Sequence, residues 1–287
     1  MKHWCIGIVL CCCMPELHAQ DAFFTNFQVN PALSNVALTG SADSWSAFLQ
    51  YRTPWSGVYR APVTAGATVN YRHGAHAGGI ITVIDRFGVT TESRISGQYA
   101  YRYALANSSI NAGLAVDITQ GVVALTNTQP AMSGDPLLQS DIRNTTADIT
   151  CAAAWQNDRG YIGVQSGGLM RNSYYGEASE VPVIWKFLAA YRFTANPMWD
   201  ITPGVLYAYV EGQPTLMILQ AQLRWHDLLQ LDLGFRNSNA YHAGFQVTYM
   251  EKFHLGYTYS HDLQLADAGA AKGHEVFLYY ALSKIAD

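Results

Sequence analysis

"YHAGFQVTYMEKFHLGYTYSHD", from Tyr241 to Asp262, carries a hydrophobic residue at every second position. Tyr241, Ala243, Phe245, Val247 and Tyr249 share one parity, and His242, Gly244, Gln246 and Thr248 the other. After Met250-Glu251-Lys252 the pattern restarts, with Phe253, Leu255, Tyr257 and Tyr259 against His254, Gly256, Thr258 and Ser260. A period of two specifies strands with one apolar and one polar face. A soluble barrel or sandwich hides the apolar face inside, whereas a membrane barrel turns it outward to lipid.

Charges on the polar parity decide between these. Leu229, Leu231, Leu233 and Phe235 oppose Gln230, Asp232, Gly234 and Arg236. Leu219, Ala221, Leu223 and Trp225 oppose Gln220, Gln222 and Arg224, and Ile95, Gly97, Tyr99, Tyr101 and Tyr103 oppose Arg94, Ser96, Gln98 and Arg102. A packed soluble core does not bury such groups unpaired, whereas the lumen of a wide barrel tolerates them. Aromatic residues mark strand ends, as at Trp45 and Tyr51 or Tyr241 and Tyr249, which matches interfacial girdles. The expected fold is an all-β, antiparallel transmembrane barrel of the outer-membrane type.

Fourteen strands are expected, near 44–52, 63–72, 76–85, 91–103, 108–118, 145–156, 160–168, 183–193, 199–210, 215–225, 228–236, 240–249, 253–261 and 274–283. Most match the ~9–11 residues that cross a bilayer at a tilt. Connections after even-numbered strands are tight (Gly74-Ala75, Asn157-Asp158-Arg159, His226-Asp227), and those after odd-numbered strands include the long 119–144, 169–182 and 262–273. Short periplasmic turns and longer outer loops are the usual asymmetry of such barrels.

Composition agrees. Charged residues make up 13% of the chain and tyrosines number eighteen, against a usual charged share of ~25%. Seventeen Lys and Arg against twenty-one Asp and Glu leave no basic footprint for nucleic acid. Residues 1–19 read as a secretory leader: Lys2, an apolar run from Trp4 to Met14, and a small-residue site ending at Ala19. Cys5, Cys11, Cys12 and Cys13 leave with it, so Cys151 has no partner for a disulfide. Residues 20–43 lack alternation and carry Asn30-Pro31 and Gly40, and are expected as an irregular periplasmic lead-in to a barrel over 44–287.

No catalytic constellation emerges. No serine sits in a nucleophile elbow, and Gly78-Gly79 and Gly167-Gly168 fall within strands rather than in phosphate loops. His242 and His254 share the lumen parity on neighbouring strands and could approach each other, but two histidines without a third ligand make a poor zinc site. No enzyme activity, cofactor or metal is expected.

Several stretches, in order along the chain, resemble the PorP/SprF family of outer-membrane proteins. They are the opening "QDAFFTNFQVNPALSNVALTG" from Gln20, "YRTPWSGVYRAPVT" from Tyr51, "SGDP" at 133–136, "YVEGQPTLMILQAQL" from Tyr209, and the ending "HLGYTYSHDLQL…KGHEVFLYYAL". The chain departs from the pattern at Leu33 to Val36 and at His261. The resemblance implies a noncatalytic role in type IX secretion and gliding machinery. It implies periplasmic lipoprotein and ring components as partners, and export or surface attachment of a secreted cargo protein, an adhesin or one bearing a C-terminal signal domain. Candidate partner contacts are the shared motif residues Arg52, Trp55, Pro62, Gly134, Asp135, Pro136, Glu211, Gly212 and Pro214. The turn residues among them also fit ordinary turn chemistry, and Trp55 an interfacial anchor. A passive porin-like channel, suggested by the lumen-parity arginines, is the alternative.

Overall fold

The computed structural model describes residues 24–41, 45–127, 140–171, 182–237, 239–263 and 271–282. The alternating segments form fourteen antiparallel strands closed into one barrel. These are β1 (Trp45–Thr53), β2 (Val63–His73), β3 (His76–Phe87), β4 (Thr90–Ala104), β5 (Ser109–Val123), β6 (Ile142–Gln156) and β7 (Gly160–Gly167). They continue as β8 (Ile184–Tyr191, resuming after Arg192 as Phe193–Asn196), β9 (Trp199–Val210), β10 (Leu216–Trp225), β11 (Leu229–Arg236), β12 (Ala240–Tyr249), β13 (Phe253–Asp262) and β14 (Lys272–Ala281). Each strand pairs with its sequence neighbours. β1 also pairs with β14, from Ser46 opposite Ala281 to Thr53 opposite His274, and this seam closes the ladder. Closure leaves no strand edge along the circle, the condition for crossing hydrocarbon.

The faces are those of a membrane barrel. On β11, Leu231 and Leu233 are 44% and 65% exposed, whereas Asp232 between them is 1% exposed. Apolar residues outside and an acid inside invert the rule for soluble proteins. Aromatic pairs gather near strand ends, such as Trp45 with Tyr71 (4.6 Å between ring centroids), Phe253 with Tyr280 (4.8 Å) and Tyr191 with Phe193 (4.8 Å).

Two expectations change. The 119–144 connection is shorter than the alternation implied, because β5 runs on to Val123 and β6 begins at Ile142. Beyond the apolar band both faces meet water and alternation fades. The ladder nevertheless persists through threonine-rich pairs, Thr119 with Thr146 and Gln120 with Thr145. β4, β5 and β6 each reach 15 residues, against 8 in β7 and β11, so the barrel rim stands tall on one side.

The larger correction concerns the expected periplasmic lead-in. Residues 24–41 lie inside the barrel, with Phe24, Asn26, Phe27, Asn30, Ala32, Asn35, Val36, Ala37, Leu38 and Thr39 all buried. They form two short 3-10 turns, Pro31–Leu33 and Val36–Leu38, the second capped by the Asn35 side chain accepting from the Ala37 amide. Phe27, Ala37 and Leu38 pack against Ala154, Leu188, Leu206 and Ile218 of β6, β8, β9 and β10. The physical reason is that a barrel of this width encloses more space than its own side chains fill. The apolar residues of the lead-in gain by entering it.

Candidate functional site

The 24–41 segment, here called the plug, and the wall that receives it dominate the interior. Amide side chains from around the circle hold the plug backbone. Val36 N donates to Gln165 Oε1 on β7 (2.8 Å), and Gln156 Nε2 on β6 donates to Ser41 O (3.4 Å). Side chains pair as well: Thr39 Oγ1 donates to Gln98 Oε1 on β4 (2.6 Å), Asn30 Nδ2 to Thr68 Oγ1 on β2 (3.0 Å), and Gln222 Nε2 on β10 to Asn26 Oδ1 (3.3 Å). Neutral amides and hydroxyls satisfy buried backbone groups without the desolvation cost of ions.

Lumen-facing glycines make the seat. A Cβ on Gly113 of β5 would lie 2.4 Å from Ala37 N and 2.6 Å from the Val36 carbonyl carbon. One on Gly204 of β9 would meet Gln28 Nε2 at 2.5 Å, and one on Gly163 of β7 would meet Asn35 Nδ2 at 2.6 Å. At Gly113 the obstacle is plug backbone, so any larger residue has to displace the plug, whereas at Gly204 and Gly163 it is a plug side chain that has to move aside.

The plug runs from the end where the longer loops lie, with Phe24 against Gly66 and Thr25 beside Glu275, toward the tight-turn end, where Ser41 meets Gln156. At the loop end sit ionic groups. Glu275 Oε2 accepts from Thr25 N at 2.8 Å and lies 3.9 Å from Arg52 Nε, and Arg236 donates to Asp262 at 3.1 Å. Glu275, Asp232 and Arg52 are all buried.

The sequence candidates separate under this geometry. Arg52 points into the lumen and joins the group that holds the plug's first residues. Trp55 sits in the β1–β2 connection with a positive φ of 58° and its ring edge-on to Phe87 at 5.9 Å, while Pro62 is buried where the chain re-enters β2. Glu211, Gly212 and Pro214 are exposed in the β9–β10 turn, which Gln213 N closes by donating to Val210 O and in which Gly212 takes φ 75°. Strand order puts this turn on the opposite side of the barrel from Trp55 and Pro62. These residues share one end of the barrel and do not form one pocket. Gly134, Asp135 and Pro136 lie outside the described residues.

His242 and His254, which their shared parity allowed to approach, lie apart. His242 lies opposite Ser260, and His254 opposite Thr248, six positions further along the ladder. Sharing a parity puts two residues on one face without making them neighbours. No group of three potential metal ligands occurs among the described residues. Sequence reading missed the plug-holding residues Gln98, Gln165 and Glu275. The signal available was the run of glutamines and glycines on the lumen parity.

The family profile described as "Type IX secretion system membrane protein PorP/SprF" matches residues 16–280. A search of curated proteins gave no significant match. Among solved structures, the chain is similar to the Acinetobacter baumannii outer membrane protein Omp33 (8% identity, TM-score 0.51, covering 85% of this chain and 100% of that one). It is also similar to a TodX deltaS2S3 mutant described as a monoaromatic hydrocarbon channel (10%, 0.54, 87% and 92%) and to the Pseudomonas putida toluene transporter TodX (9%, 0.50, 90% and 93%). At these identities the likeness concerns the fold, and it is that of outer-membrane barrels. With the profile match spanning nearly the whole barrel, the chain is an outer-membrane protein belonging to the PorP/SprF family of type IX secretion system membrane proteins.

Proposed function

We propose that this barrel is a noncatalytic docking component of type IX secretion, supporting export or surface attachment of specific cargo proteins through protein–protein contacts. In this reading the tall loop-end rim meets the secreted cargo. The tight turns face the periplasm and meet lipoprotein and ring components, and residues 1–19 are a cleaved leader. Gliding is one activity such surface attachment would serve. The observation that carries this reading is the plug: residues 24–41 occupy the lumen, with hydrophobic packing and hydrogen bonds to strands on all sides. A diffusion pore for small solutes needs that space open. The lumen-parity arginines that suggested a porin are accounted for in part by ion pairs, Arg236 with Asp262 at 3.1 Å and Arg224 with Asp227 at 3.6 Å.

The experiment is planar-bilayer conductance with the purified full chain and with a variant lacking residues 24–41, joined to a native-detergent pull-down. The expected outcome is no steady open pore for the full chain, a steady pore for the deletion variant, and co-purification of secretion components and a secreted cargo. A steady open pore in the full chain would overturn the reading in favour of the porin.

A further inference from the structure

At the loop end of the lumen, a cavity of about 20 Å³ lies where the plug's first residues meet the ends of β1, β11, β12 and β13. Its polar lining is Thr25 of the plug, Arg52, Arg236, His242 and Ser260. No carboxylate lines it among the described residues, although Glu275 and Asp262 balance the two arginines from outside the cavity, at 3.9 and 3.1 Å. Two cationic side chains, two hydroxyls and an imidazole therefore surround a space that no acid enters. Arg52, Arg236 and His242 are 7%, 8% and 5% exposed, so bulk water does little to screen them.

His242 adds a specific reason to expect an occupant. Its Nε2 has no hydrogen-bond partner among the described groups, and the ring takes its place over Gly234, where a Cβ would lie 2.1 Å from Cε1 and 2.2 Å from Nε2. A buried nitrogen left unpaired calls for a ligand or an ordered water. A space of this size takes about one water-sized atom. Donors converging on one point suit an accepting atom, and such hydrogen bonds are strongest when that atom is an anion.

We propose that this cavity is a small-anion site, taking a halide ion or one oxygen of a carboxylate, with His242 and Ser260 as donors between Arg52 and Arg236. Because Thr25 belongs to the plug, the site is complete only when the plug is seated. A bound anion would thus tie residues 24–41 to β1, β11 and β12. A carboxylate could be supplied by a polypeptide approaching from the loop end, and a halide by the medium.

The test uses the full chain, purified in detergent and crystallised from bromide, with bromide binding also followed by calorimetry. An anomalous bromide peak beside His242, Arg52 and Arg236 is expected. His242→Leu should weaken bromide binding about tenfold, the loss of one charge-assisted hydrogen bond, whereas His242→Gln, which keeps a donor, should stay within about threefold of the wild type. Heat-modifiable mobility on gels reports whether each variant is folded. If His242→Leu is not, Ser260→Ala should still show the loss. Competition by acetate and by a short peptide with a free C-terminal carboxylate separates the sources: displacement identifies a carboxylate site, and persistence of bromide an inorganic anion site. Absence of both the peak and the calorimetric signal, or unchanged binding in a folded His242→Leu variant, would overturn the proposal.

Discussion

The wall and the plug of this barrel are built by opposite means. The wall is regular. Its backbone groups pair strand to strand all the way round, its outer face is apolar, and identical rules apply at every position. The plug has no strand and only two single-turn helices, and it is held residue by residue by glutamine, asparagine and threonine side chains over glycine seats. The difference teaches that stability and occupancy are separable here. The wall answers to lipid, the plug to the shape and polarity of a lumen that lipid never touches.

Substitutions on the two regions should therefore fail in different ways. The largest effect is expected at Leu231, which faces lipid between Leu223 and Phe245 of its neighbours. Leu231→Arg should cost assembly of the barrel ~2–4 kcal/mol if it lies near the midplane, read as loss of the heat-modifiable form in urea titrations. An unaffected barrel would mean that the faces are reversed. Next comes Gly113→Val. A β-branched residue suits a strand, but its Cβ would intrude on Ala37 and Val36, an overpacking of ~1–3 kcal/mol. The expected result is a folded barrel whose plug is unseated, seen as new protease cleavage within 24–41 and a rise in conductance. Loss of the barrel itself would show that wall and plug are one unit.

A smaller effect is expected at Gln165, whose Oε1 accepts from Val36 N at 2.8 Å. Gln165→Ala removes the partner of one plug amide and should weaken seating by roughly 1 kcal/mol, visible as faster hydrogen exchange at Val36 with strand amides unchanged. The mildest is a pH effect outside the membrane. Asp141 accepts from Thr126 Oγ1 at 2.8 Å and from Thr126 N at 3.3 Å, and the side-chain bond, with the backbone bond, holds its carboxyl below the ordinary value of 3.8. A lowered folded pKa means the tie at the base of the β5–β6 connection is present above the ordinary value and lost as pH falls through the lowered one. The Thr126 amide resonance should hold steady through pH 3.8 and move only below it; a transition at the ordinary value would show the tie is absent in solution.

What could be read from the sequence follows the same division. Period-two alternation reports a face, so Leu231 against Asp232 was enough to place lipid outside. Alternation says nothing once both faces meet water, and the tops of β5 and β6, residues 119–123 and 142–144, read as loop for that reason. The plug has no periodicity at all. Asn30-Pro31 and Gly40 truthfully signalled irregular chain, but irregular chain carries no signal of where it goes. Gly113, Gly163 and Gly204 are visible as glycines on the lumen parity. Only a partner pressed against them turns them into seats. Arg52 stands out through its family motif as a candidate partner contact on the lumen parity, and its burial beside Glu275 comes from a pairing that depends on barrel closure.

The seam between β1 and β14 has a consequence in time. Thr25 bonds to Glu275 across a separation of 250 residues, and β1, which follows the plug almost immediately, finds its second neighbour only in the last strand of the chain. Long-range pairings of this kind come late and set the pace of folding. The interior is thus furnished by residues 24–41 and shut by β14, so the plug must be gathered in while the circle still gapes. A chain stalled before β14 would be an open trough with its filling exposed, a state that the cell's assembly machinery has to shelter until the final strand arrives.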